Sequence, residues 1–275
     1  MLDALSYPFM QNALLAGLFA SIACGIIGSL IVVNRMVFLA GGVAHMAYGG
    51  VGLAFYAGWP VLPSTIGFTL LASLGLAGLT LNRRSRTDTV IGVFWAAGMA
   101  LGILLLDLAP GYNVDLMSYL FGSILTVPLR DVIWMAGIVL VLLLVIGLYY
   151  RDLKAMSFDP EFARTRGVPV TFLHFLLVAL LGVSVVMVIQ VVGLILVIAL
   201  LTIPSYLAQR KAQSLGRMMI AAAGWAAVFC LFGLMAAFYF DLTSGASIIA
   251  VGTVCFFLVL VWDKCVGALR SYPSA

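Results

Sequence analysis

The chain has 275 residues, 64% of them hydrophobic and only 9% charged; a soluble domain is roughly half apolar and a quarter charged. That balance excludes an ordinary soluble fold and points to an all-α polytopic membrane protein. The net charge of +4 does not argue for nucleic-acid binding, because the charges sit in the gaps between apolar runs, where topology rules apply.

Charge-free runs mark the spans, since a helix needs about 20 apolar residues to cross a hydrocarbon core of roughly 30 Å. The first run covers 13–33. The second, 36–82, holds two spans, divided by the Trp59-Pro60-Val61-Leu62-Pro63 turn. Further spans fall at 89–106 and 132–150. The run 167–209 again holds two, dividing near Gln190 to Gly193, and spans at 218–240 and 245–262 complete the set. The expectation is eight to nine transmembrane helices in one domain, 1–275. Residues 117–129 are apolar but too short to span, and are expected to form a re-entrant half helix buried by protein. The glycine-rich stretches 41–52 and 245–252 are candidate broken helices.

Lys and Arg residues set the orientation. With Arg35 on the cytoplasmic side, alternation also places Arg83, Arg84, Arg86, Arg151, Lys154, Arg164, Arg166, Arg210, Lys211, Arg217, Lys264 and Arg270 inside, leaving only Arg130 outside. The N-terminus is then extracytoplasmic and the C-terminus cytoplasmic. Asp3, Asp107, Asp115, Asp131 and Asp241 give the outer face an acidic cast. The first dozen residues lack the basic region of a cleavable signal. Three of the four cysteines lie in apolar runs and none forms a CxxC pair, so they read as packing residues.

Three segments carry chemistry. The loop 151–168 contains a short punctuated helix. Asp159 is suited to the N-cap, Pro160 to the first helical position, and Glu161 to the positive helix end. Gly167 can close it and Pro169 stops it. Phe158 and Phe162 stand beside Arg164, as on a docking knob. The second segment carries His45, ten residues beyond Arg35 and therefore roughly 15 Å deep. Gly41 and Gly49 lie four residues either side of it, on the same helix face. Such a face allows close helix contact or leaves room for a pathway, and an ionisable group at mid-membrane is a functional candidate. His174, near a span end, reads as structural. The third segment contains Pro204, which should kink its helix, with Thr202 or Ser205 able to satisfy the freed groups. The chain has no GxxxxGK[ST], HExxH or GxSxG sequence, so no P-loop ATPase, zinc-protease or serine-hydrolase activity is expected of it.

The order and spacing of these pieces resemble the metal-ion branch of ABC transporter permeases, which take up zinc, manganese or iron in bacteria. The resemblance runs through Ala16-Gly-Leu, Gly25-Ile-Ile-Gly-Ser, Phe38-Leu followed by His45, Ile91-Gly-Val and Tyr119-Leu-Phe-Gly-Ser-Ile-Leu-Thr-Val. It continues in Phe158-Asp-Pro-Glu-Phe-Ala, Val192-Gly-Leu-Ile-Leu-Val and Ile203-Pro. It implies a homodimeric permease in the bacterial cytoplasmic membrane, with a separate dimeric ATPase and an extracytoplasmic metal-binding protein as partners. Phe158, Asp159, Glu161, Phe162 and Arg164 would form the coupling helix on the ATPase, His45 would meet the metal, and Gly41 and Gly49 would line the path. The metal would be cargo, with no resident cofactor. One position departs from the family's pattern, which has an acidic residue four places before the histidine where this chain has Gly41. The alternatives are fewer ligands, a ligand from another helix, or a different metal. Two other transport readings are a permease for a metal chelate and an ion-coupled secondary carrier. The second is disfavoured because all ten acidic residues fall at or outside span ends.

Overall fold

In the computed structural model, residues 7–81, 87–110 and 120–270 are described, with side chains through 263. Asp3, Arg83, Arg84, Arg86, Asp115, the start of the 117–129 segment and the side chains of Lys264, Cys265 and Arg270 lie outside the described residues. Among the described residues, eight helices are long and apolar enough to cross a membrane. They are α1 (Pro8–Val33), α2 (Val37–Ala57), α3 (Val61–Thr80), α4 (Thr87–Asp107), α5 (Leu129–Phe158), α7 (Val170–Val192), α9 (Leu215–Phe240) and α10 (Ser244–Arg270). Two shorter helices are α6 (Pro160–Thr165) and α8 (Val197–Gln209). The protein is an all-α multi-pass membrane protein.

The ninth expected span is α8, and it is short. Its 13 residues rise only about 20 Å. The reason is that the run 167–209 breaks at Gly193 (φ +81°), and Gly193 to Leu196 pass as turns before α8 begins. The break is held by the described end of the 117–129 segment, which is helical at Leu120 and Phe121 and forms a 3-10 turn at Ile124–Thr126. Ile195 donates its N–H to the Leu120 carbonyl, and Ile124 donates to the Ser244 hydroxyl at 3.2 Å. Broken backbone at membrane depth therefore finds its partners inside the protein, as it must. Gly122 (φ +71°) and Gly193 are in backbone contact, so a Cβ on either would overlap the other strand of the junction.

The glycine-rich stretches 41–52 and 245–252 are not broken helices: α2 and α10 run through them unbroken. There the glycines serve close packing instead. Pro204 lies inside α8, but Thr202 donates to the Ile198 carbonyl and Ser205 has no partner. Neither hydroxyl is on the Leu200 carbonyl that the proline frees.

Buried α7 divides the bundle. On one side α2 packs with α3 and α4; on the other α1 packs with α8 and α9, and α10 with α9. Cys24 and Cys230 are buried with free thiols, and Ser21 donates to the Cys230 sulfur at 3.6 Å, which fits packing residues.

Candidate functional site

The α2–α4 contact builds the site. A Cβ on Gly98 would lie 2.6 Å from the Met46 backbone, and one on Gly52 would lie 2.3 Å from the Gly102 carbonyl oxygen. Only glycine lets the two helices approach so closely. That approach carries two α4 side chains, Trp95 and Met99, onto His45. The Trp95 ring stacks on the imidazole at 3.9 Å between centroids and 12° between planes. The Met99 sulfur stands 3.0 Å from His45 Nδ1. Trp95 and Met99 are four residues apart, hence on one face of α4.

His45 is eight residues into α2 and Met99 twelve into α4, so both stand roughly 12–18 Å from the helix starts, near mid-membrane. His45, Trp95 and Met99 are all partly buried in the single chain. No group of three His, Cys, Asp or Glu side chains able to hold a metal ion occurs among the described residues. The donor set is one imidazole nitrogen and one thioether.

Gly41 belongs to the same cluster: a Cβ there would meet Trp95 and Ile198 at 3.2 and 3.0 Å. The room a carboxylate would need at position 41 is taken by these two side chains. Gly49 packs against Phe68 and Gly98. Both glycines are therefore at close helix contacts here, and Gly41 also borders the His45 cluster. His174 is half-buried beside Phe175, with Nε2 unpartnered.

The second element of the site is α6. At 30 residues, α5 is about 45 Å long, well over the ~30 Å core, so it carries α6 beyond the bilayer. Asp159 caps α6, accepting from the Phe162 N–H at 2.9 Å. Pro160 opens the helix, and Gly167 follows it in a left-handed conformation (φ +80°). Phe158 and Phe162 are 66% and 54% exposed, an arrangement costly in water unless a partner covers it. The Arg166 guanidinium lies 5.1 Å over the Phe162 ring. Glu161 and Arg164 are exposed beside it. Sequence reading missed Asn34, which donates to the Leu30 carbonyl at 2.8 Å and the Ser157 hydroxyl at 2.9 Å. It ties the α1–α2 turn to the residue just before Phe158.

A multi-span bundle with a capped helix protruding from one end defines a polytopic membrane protein. The model described as the ABC 3 transport family matches residues 6–263, and the chain belongs to that family. It is 48% identical to the uncharacterized membrane protein slr2045 of Synechocystis sp., over 96% of this chain and 94% of that protein. It is 34% identical to the manganese transport system membrane protein MntC of Halalkalibacterium halodurans, over 98% and 92% of the two chains. Among solved structures it resembles PsaBC from Streptococcus pneumoniae, determined in complex with Fab. That likeness has a TM-score of 0.84 and 33% identity, covering 94% of this chain and 93% of that one.

Proposed function

We propose that this chain is the permease subunit of an ATP-driven importer of a divalent transition metal, manganese, iron or zinc. The observation that carries the reading is the His45–Met99 pair at mid-membrane. Around a tetrahedral ion, nitrogen and sulfur ligands at ~2.0 and ~2.3 Å stand roughly 3.5 Å apart. The 3.0 Å contact would need to open only slightly to admit a cation. Met99 supplies from another helix a donor that position 41 does not. Two donors per chain bind weakly enough to release, as a passage site must.

An imidazole even partly exposed to lipid at mid-membrane is costly. A second copy of the chain covering that face removes the cost and brings a second His45 and Met99 to the path, so the permease works as a homodimer. Phe158, Asp159, Glu161, Phe162 and Arg164 form the coupling helix for a separate cytoplasmic ATPase dimer, and an extracytoplasmic binding protein delivers the metal. The chain itself hydrolyses nothing. A secondary carrier is disfavoured because the buried polar side chains among the described residues are serines and threonines, with no carboxylate to hold a coupling ion.

This reading fixes the topology in a bacterial cytoplasmic membrane, N-terminus outside and C-terminus inside. In a cysteine-free background on intact cells, an impermeant maleimide is expected to label Trp59→Cys, on the α2–α3 turn, and to spare Thr165→Cys, beside α6. Both positions are exposed, so accessibility within the protein does not limit labelling. Prompt labelling at Thr165→Cys would overturn the orientation.

A further inference from the structure

Between the ends of α8, α9 and α10 lies a cavity of about 460 Å³ that the transport reading does not use. Its rim carries Arg210, Lys211, Arg217 and Asp263, and its walls include Trp225 and Trp262. Arg210 pairs with Asp263 across α8 and α10. Arg217 donates to Gln213 at 2.6 Å, a neutral partner that leaves its charge uncompensated. Lys211 is exposed and has no anionic partner among the described residues. Three cations against one carboxylate leave the rim with an excess of two positive charges.

The cavity is layered by depth. Arg217 is in the first turn of α9, while Trp225 is eight residues further along, roughly 12 Å deeper. The deeper wall is otherwise apolar, from Leu207, Ala221 and Val259. Trp262 is 70% exposed, on the outward face of α10 that also exposes Phe257 and Leu258. Tryptophans at this level belong to the headgroup belt. Charge at the rim, an apolar floor beneath it and an exposed Trp262 at its edge match one amphiphile.

We infer that this cavity binds an anionic phospholipid of the cytoplasmic leaflet. Its phosphodiester sits between Lys211 and Arg217, and one acyl chain lies along the Trp225 wall. Basic pockets between membrane helices on this side recognise such headgroups. The Arg210–Asp263 pair links the ends of α8 and α10 and neutralises Arg210, leaving Lys211 and Arg217 to meet the phosphate. The side of the membrane rests on the topology proposed above, which the labelling experiment tests separately.

Native mass spectrometry of the purified full-length chain, titrated with phosphatidylglycerol and with phosphatidylcholine, tests the site. The wild type is expected to retain phosphatidylglycerol preferentially. Replacing Lys211 and Arg217 together by Ala should reduce that preference roughly 25-fold, about fivefold for each cation at the membrane surface. The charge-preserving pair Lys211→Arg and Arg217→Lys should keep it. Asp263→Asn, which frees Arg210, should strengthen it. Inorganic phosphate should not displace the lipid, because it cannot use the apolar wall. Equal retention of the two lipids by the wild type would overturn the proposal even if the alanine variant failed to assemble. Unchanged retention by a folded alanine variant would do the same. Displacement by phosphate would reassign the cavity to a free anion and sink the lipid.

Discussion

Replacing His45 by alanine is expected to abolish most metal uptake while leaving the permease folded. The imidazole is the one nitrogen donor at mid-membrane in the α2–α4 cluster, and a neutral ring offers a lone pair without a buried charge. Losing a partner of a metal ligand already costs about 10- to 100-fold at known sites, and losing the ligand itself should cost at least as much. Met99→Leu keeps the volume and removes the sulfur. It should lower uptake less, and lower it more for softer metals than for manganese, since thioethers favour soft ions. His45→Gln separates ligand from packing. It retains hydrogen bonding, so a structural role predicts recovery and a ligand role predicts continued loss. Thermal unfolding of each variant in detergent shows whether folding is intact. Normal uptake by a well-folded His45→Ala protein would remove His45 from the path.

Replacing Glu161 and Phe162 with glycine is expected to uncouple the transporter. Phe162 is exposed on a six-residue helix, and a helix so short is marginal without its cap and its packing partners. Two glycines add about 1 kcal/mol of helix cost and delete an aromatic anchor of the kind that dominates interfaces. The variant should still insert, because α5 and α7 are unchanged, yet retain little ATPase on co-purification and lose metal stimulation of hydrolysis. The Asn34–Ser157 bond offers a direct polar link from this end of α5 to the α1–α2 turn. Full stimulation and full uptake by the double-glycine protein would show that α6 is not the docking element.

The spans and the short capped helix were legible in the sequence for simple reasons. Apolar runs have the length of the bilayer, and Asp159, Pro160 and Gly167 each have one favoured place at a helix end. The break near Gly193 was legible because a run of 43 residues, 167–209, has to turn once. The site's second half was not. Met99 is 54 residues from His45, and methionine is so common in apolar helices that nothing marks it in advance. The register that brings Trp95 and Met99 to His45 depends on Gly98 and Gly102 meeting α2 at backbone contact, which is a property of two helices together. The glycine runs misled for the same reason: glycine in a span signals either a break or a close neighbour, and only packing distinguishes them.

The most direct test of the account is uptake of radioactive manganese and iron(II) into proteoliposomes. These would hold the permease, its ATPase and the binding protein, with ATP supplied on the ATPase side. Accumulation is expected to require ATP hydrolysis and to fall at least tenfold with His45→Ala. Accumulation that proceeds equally without ATP, or without regard to His45, would contradict it.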